Sequence, residues 1–481
     1  RPPRSTLSSS SAASDVYKRQ IQDETLTILS LKKNMNKKFQ TIISGKSSAL
    51  TGKIYVPSDK SISHRALILG SLTVGKTIIS GLLESEDVFK TANGLKALGV
   101  DIYKKGDEWF VHGVGIGGFY EPDDIIDCGN SGTSVRLLMG LVSTCPIKVT
   151  FTGDESLRKR PMDRVVKPLS EFGAYFSTNY DCKLPIHVIG SNEPIPINHT
   201  LKTPSAQVKS AILIAGLNVK GTTSVTENEA SRDHTEKMLE SFGANIKIKK
   251  EGLTKVISVS GFSKLSTSTI KVPGDISSAA FPIASACMIP NSEITIKSVG
   301  LNPLRDGFID TLIEMGANIK IKNKNLETGE LVADIHVSYS PNLNGIEVPK
   351  ERSPRMIDEY PILSILAATA KGPTIMNGIK ELRFKESDRI SAISDGLKRS
   401  GVCISEKQDK LTIFGKGNQN IKGGSIIDAS NDHRIAMSFA ILGSITEESV
   451  EIRGASSIKT SFPNFIDLMN SLGLEILTLK S

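Results

Sequence analysis

Several short segments of this 481-residue chain place cations where a helix would not want them. A helix N-terminus carries partial positive charge and favours acids in its first turn. Yet Lys60 and Arg65 open SDKSISHRAL, Arg136 follows GNSGTS, Arg232 sits in EASRDHTEKML and Arg434 in NDHRIAM. A cation beside a positive helix end makes sense if an anion lies between them, shared by backbone N–H groups and the cation. Two further clusters fit an anionic ligand: LRKRPMDR, with Arg158, Lys159, Arg160 and Arg164, and RFKESDR, with Lys385, Glu386 and Arg389. Charge-assisted hydrogen bonds contribute about 1.5–3 kcal/mol each, so several together offset the desolvation of a multiply charged ligand. Two plainer readings stay open. Arg232 can pair with its neighbour Asp233, and GNSGT reads equally as a tight turn or as a nest of N–H groups around an anion.

The elements that must position these residues repeat. A polar turn followed by a small-residue apolar helix occurs as SDKSISHRALILGSL, GNSGTSVRLLMGLV, TPSAQVKSAILIAGL, GDISSAAFPIASAC, IDEYPILSILAATA and SNDHRIAMSFAILGS. Alternating with it is a helix end, a glycine and a strand: LKALGVDI, LSEFGAYF, LESFGANI, LIEMGANI, LKRSGVCI and MNSLGLEI. The glycines Gly99, Gly173, Gly243, Gly316, Gly401 and Gly473 are placed to end helices in the left-handed conformation. The period of about 70–85 residues predicts six α/β units in two domains of three. Helices apolar all round should be buried, and those with one apolar stripe should lie outside them.

The bulk numbers exclude other classes. With 39% hydrophobic and 23% charged residues the composition is that of a globular protein. Aromatics are 5% with a single Trp, thin for stacking on nucleic acid. Neither H-E-x-x-H nor C-x-x-C spacing is present, so no metal is expected, and the absence of G-K-[ST] and GxGxxG removes nucleotide loops. Five scattered cysteines fit reduced thiols in a cytoplasmic setting. No apolar run reaches the roughly 18–20 residues that span a bilayer. Of the net charge of +8, residues 1–34 carry six bases against three acids, leaving +5 on the rest. That Ser- and Arg-rich segment is expected to be extraneous or disordered, a transit peptide or an upstream fusion, with Met35 opening the folded part.

Taken together, SDKSISHRAL, GNSGTSVR, KRPMDRV, PSAQVKSA, SRDHTEKML, DEYPIL, KESDRI, NDHRIAM and SFPNF resemble, in order, the EPSP synthase family of enolpyruvyl transferases. The resemblance runs from about Lys53 to Gly473. It implies an α/β fold of two domains, each of three βαβαββ repeats in an inside-out barrel-like arrangement, with the site in the cleft between. The expected domains are 59–272, on the shikimate 3-phosphate side, and 35–58 plus 273–481, on the phosphoenolpyruvate side. For shikimate 3-phosphate it implies Lys60, Ser61, Arg65, Ser205, Ala206, Gln207, Ser231, Arg232, Asp358 and Lys385. For phosphoenolpyruvate it implies Lys60, Gly132, Arg160, Gln207, Arg389 and Arg434. Asp358, Glu386 and Lys60 are the implied catalytic groups. The family implies no cofactor, no nucleic-acid or membrane partner, and a monomer.

Three departures matter. Ala206 stands where enteric and plant members have a second Ser, Leu137 where they have Pro, and Thr460 where they have Lys, with Lys459 one residue early. These resemble the second, more glyphosate-tolerant subgroup. The implied reaction is addition of the acceptor 5-hydroxyl to C2 of phosphoenolpyruvate, then loss of phosphate, and needs one acid and one base. Sequence does not say which of Asp358 and Glu386 is which. Glu386, among Lys385 and Arg389, should stay charged, whereas Asp358 lies at an apolar-flanked helix start. Two alternatives compete. UDP-N-acetylglucosamine enolpyruvyl transferases share the architecture but carry a loop Cys, absent from GDESLRKRPMD. A non-catalytic phosphate- or RNA-end-binding protein would need the anion sites but neither carboxylate.

Overall fold

The computed structural model describes residues 40–479 apart from 180, 253 and 418. The expectation for residues 1–34 therefore lies outside the described residues. The six small-residue segments form inner helices: α1 (Lys60–Ser71), α2 (Gly132–Val142), α3 (Ala206–Gly216), α4 (Ile276–Met288), α5 (Tyr360–Thr369) and α6 (His433–Gly443). Nearly every residue of these helices is buried, because Ala, Ser and Gly on all faces let strands and neighbouring helices approach closely. At Gly140 of α2, for instance, an added Cβ would lie 2.7 Å from the Ala211 Cα of α3. The striped helices, such as Glu86–Ala97 and Arg389–Arg399, bury only one face.

All six predicted glycines have positive φ, from 83° at Gly243 to 121° at Gly473. The N–H of Gly99 donates to Lys96 at 3.0 Å and that of Val100 to Leu95 at 3.0 Å, the paired bonds of a Schellman ending. The same pair closes the helices before Gly243, Gly316, Gly401 and Gly473.

Each unit adds a four-stranded open sheet, not a closed barrel. In one, Ile126–Asp127 runs parallel to Lys148–Thr152, which pairs antiparallel with Ile186–Ile189, itself antiparallel to Tyr175–Ser177. Among the described residues six sheets share this pattern. Two of them close by exchange. Thr51–Ile54 pairs with Glu293–Gly300, and Thr269–Lys271 with Val74–Ser80. Hence the chain crosses twice between two separate hydrophobic cores, one drawn from residues 62–272 and the other from 42–56 and 276–476. The crossing strands lie side by side: Asp59 N donates to Pro273 O at 2.8 Å and Asp275 N to Pro57 O at 2.9 Å.

Candidate active site

The polar turns before the inner helices meet between the cores. In the 62–272 core the caps are an acid and two hydroxyls. Asp59 accepts from Ile62 N, Ser131 from Ser134 N and Ser205 from Val208 N. Lys60 reaches Asp87 at 3.1 Å. Arg136 donates to Gln207 Oε1 at 2.9 Å and Gly132 O at 3.1 Å, and Gln207 Nε2 donates to Thr133 at 2.9 Å. Arg160 rests on Asn130 Oδ1 at 2.5 Å and Ser156 at 3.3 Å. Gly132 lets the two guanidinium groups converge, since a Cβ there would meet Arg136 Nη1 at 2.5 Å and Arg160 Nη1 at 3.4 Å. Arg65 lies beneath the floor: it is 3% exposed and donates to Ser61 O, Ser210 and Thr235. Burial pulls the guanidinium groups of Arg65 and Arg136 down to about 10.

The other core brings carboxylates. Asp358, just before α5, receives Arg232 at 2.6 Å, Arg389 at 3.4 Å and Lys385 at 3.7 Å. Its backbone carbonyl accepts from Arg434 at 3.1 Å. Burial alone would raise the Asp358 carboxyl, but Lys385, Arg232, Arg434 and Arg389 hold it well below the usual range. Glu386 meets Arg389 at 2.5 Å and Arg160 at 3.9 Å, and is likewise held well below its usual range against burial. Both carboxylates are thus ionised at neutral pH. Arg389 also grips Asp432, the cap of α6, at 2.8 and 3.2 Å. His433 is buried and pushed well below its ordinary value by burial and by Lys60, so it is neutral. Below the site, buried Arg305 joins Asp59, Asp275 and Ser277, and Ser277 donates to Glu359.

A cavity of about 1070 Å³ opens beside these groups, lined from one core by Asn130, Ser156 and Arg160 and from the other by Lys385, Glu386 and Thr460. Lys60, Arg232 and Asp358 do not line it; the Arg232–Asp358 pair bridges the two cores.

Among proteins of known sequence, the family model described as EPSP synthase (3-phosphoshikimate 1-carboxyvinyltransferase) matches residues 45–469. The 3-phosphoshikimate 1-carboxyvinyltransferase of Roseobacter denitrificans is 51% identical over 428 residues, 89% of this chain and 95% of that one. This chain belongs to the EPSP synthase family. A solved structure of EPSP synthase from Acinetobacter baumannii superposes with a TM-score of 0.82 at 41% identity, covering 92% of this chain and all of that one. The enolpyruvyl transferase NikO from Streptomyces tendae shares the fold, with a TM-score of 0.73 at 15% identity over 92% of this chain and 99% of that one.

Against the family expectation, the structure gathers Lys60, Gly132, Arg160, Gln207, Arg232, Asp358, Lys385, Glu386, Arg389 and Arg434 at one place. Ser61, Ser205 and Ala206 stand at the heads of α1 and α3 on its floor. Ser231 lies behind Arg232, its hydroxyl donating to Glu227 at 2.7 Å. Two readings change. Arg232 pairs with Asp358, 126 residues away, not with its neighbour Asp233, which takes Asn302 at 2.7 Å. The setting of Asp358 is cationic rather than apolar, because three segments distant in sequence deliver their charges to it. Leu137 is fully buried in the core. Thr460 lines the cavity, whereas exposed Lys459 does not. Sequence reading gave no role to Asp432, Arg305, Asp275, Glu359 or Lys209. For the acids, the one available signal was their place at helix caps. Among the described residues no group of His, Cys, Asp and Glu is arranged to hold a metal ion, and no helix is long and apolar enough to cross a membrane.

Proposed function

We propose that this chain transfers the enolpyruvyl group of phosphoenolpyruvate to the 5-hydroxyl of shikimate 3-phosphate, giving 5-enolpyruvylshikimate 3-phosphate and phosphate. The carrying observation is a pair of ionised carboxylates, Asp358 and Glu386, set within a ring of cations contributed by both cores. Family membership supports the reaction, and the cation ring suits two anionic substrates. Asp358 takes the proton of the 5-hydroxyl as its oxygen bonds to C2 of phosphoenolpyruvate, and C3 takes a proton that the Lys60 ammonium gives up through the Glu386 carboxylate. Loss of that C3 proton then expels phosphate and restores the double bond.

The low pKa of Asp358 makes it a weak base while its cations are its own. Bound phosphate and carboxylate groups compete for Arg232, Lys385 and Arg389, which raises Asp358 towards a working value. Lys60, Ser61 and Arg65 at the head of α1, Ser205, Ala206 and Gln207 at the head of α3, and Ser231, Arg232 and Lys385 hold the acceptor. Lys60, Gly132, Arg160, Gln207, Arg389 and Arg434 hold phosphoenolpyruvate. The domain division at 59–272 rests on the two cores, and the acceptor closes the cleft by drawing ligands from both. Ala206, Leu137 and Thr460 align the chain with the more glyphosate-tolerant subgroup, and it acts as a cytoplasmic monomer without a cofactor.

The test is phosphate release from phosphoenolpyruvate with shikimate 3-phosphate, UDP-N-acetylglucosamine or no acceptor. Release with the first alone supports the assignment. Release with the second instead, or binding of shikimate 3-phosphate without turnover, refutes it.

A further inference from the structure

Lys209 on α3 is a lysine with no exposed surface. Its ammonium meets Glu227 at 3.1 and 3.2 Å, Glu236 at 2.7 Å and the backbone oxygen of Ser231 at 3.2 Å. Glu227, at the end of the strand Thr222–Glu227, takes both other polar groups of Ser231: its N–H at 3.3 Å and its hydroxyl at 2.7 Å. One buried ion pair therefore holds the carbonyl, amide and hydroxyl of a single residue in the turn that carries Arg232. Glu236 shares the lysine but does not touch Ser231. It meets Lys209 at 2.7 Å and Lys255 at 4.0 Å, and its charge also acts on the buried guanidinium of Arg65.

Buried ion pairs stabilise a fold no better, and often less, than well-packed apolar residues of equal size. The consequence of this pair is geometric. We propose that Lys209 and Glu227 are positioning residues that set the Ser231–Arg232 turn for the phosphate of the acceptor, while Glu236 is only a counter-charge. Glu227 accepts from the amide and hydroxyl of Ser231 and Lys209 donates to its carbonyl, which fixes the backbone from which Arg232 extends. With those donors spent on Glu227, Arg232 is the group of this turn that meets an arriving dianion, and Lys209 keeps Glu227 from standing behind it as an uncompensated carboxylate. This rests on the reading that Arg232 meets the acceptor phosphate.

The test is steady-state phosphate release in the full chain, with each substrate varied in turn. Glu227→Ala is expected to raise KM for shikimate 3-phosphate about tenfold, the effect of losing one hydrogen bond to a charged group, with KM for phosphoenolpyruvate within about twofold. Glu227→Gln should recover most of the loss, and Glu236→Gln should leave both values within about twofold. Glu227→Met, similar in size and leaving the Lys209–Glu236 pair intact, should show the same split and serves if the alanine variant does not fold. Equal changes in both KM values, or a Glu236→Gln variant that mimics Glu227→Ala, would overturn the proposal. Arg232→Gln separates the two levels. If it raises the acceptor KM while Glu227→Ala does not, positioning is wrong and the Arg232 contact stands; if Arg232→Gln changes nothing, the contact reading falls and the proposal with it.

Discussion

Arg65, Arg136 and Arg160, from the 62–272 core, rest mainly on neutral acceptors: Ser61 O, Ser210, Thr235, Gln207, Gly132 O and Asn130. Arg389 and Arg305, from the other core, rest on Asp432, Glu386, Asp358, Asp59 and Asp275. The electrostatic outcome is opposite. Burial lowers Arg65 and Arg136 to about 10, whereas carboxylates raise Arg389 and Arg305 above their usual value despite equal burial. A guanidinium on neutral partners has charge to offer an incoming anion, while one on carboxylates is neutralised and instead fixes where those carboxylates point. On the proposed reading, the first face chiefly offers charge to an incoming anion, whereas on the second Arg389 also fixes the carboxylates beside the substrate it meets.

Glu386→Gln should break the second face with the largest effect. Turnover is expected to fall about 10²–10⁴-fold, the usual range for a lost acid or base, with acceptor binding retained. Near-normal turnover in the phosphate-release assay would remove Glu386 from proton transfer.

Replacing one arginine on each face sharpens the contrast. Arg389→Met leaves Asp432 buried without its cation and should destabilise by about 3–5 kcal/mol. Arg136→Met breaks bonds only to neutral acceptors and should cost about 1 kcal/mol. Denaturant unfolding of both reads the difference, and equal losses would contradict the division.

Gly132→Ala tests the first face more gently. The new methyl pushes Arg136 off Gln207, at a cost of about 1–3 kcal/mol, and should weaken glyphosate, the longer ligand, more than phosphoenolpyruvate. Inhibition and Michaelis constants in wild type and variant give the ratio; equal changes would show that Gly132 does not discriminate.

The smallest expected effect is an acid limb. Burial raises the Asp59 carboxyl, yet Arg305 with His234, the Ile62 amide and Arg232 brings it down to about 2. A depressed carboxylate stabilises fully above its unfolded value near 4. Stability should therefore drain as pH falls from about 4 to about 2. Burial raises Asp275 and Glu359 instead, and they act with opposite sign, losing stability as pH rises through their folded values. Melting temperature against pH for wild type and Asp59→Asn should differ mainly in that acid window.

Much of this was legible in the sequence. Six glycines after helix ends and six small-residue helices follow from local rules, and all twelve features are present as read. The cations at helix starts also announced themselves, because they violate a local preference. Their carboxylate partners did not. Asp432 reads as a helix cap, and only the fold carries Arg389 across 43 residues to it. Arg305 meets Asp59 across 246 residues at the crossing strands, and Ser277 meets Glu359 across 82. The strand exchange that closes the cores is equally non-local, joining Thr51–Ile54 to Glu293–Gly300. Local chemistry picked out the cations on both faces, whereas their pairing with carboxylates exists only through the tertiary fold.

The most direct test of the proposed reading is calorimetric titration of shikimate 3-phosphate into Asp358→Asn, run beside turnover of the same preparation. The amide keeps an oxygen for the acceptor hydroxyl but cannot serve as a base. The account predicts a dissociation constant within about threefold of wild type, with turnover lowered about 10²–10⁴-fold. Loss of binding in step with turnover, or turnover close to wild type with binding intact, would contradict it.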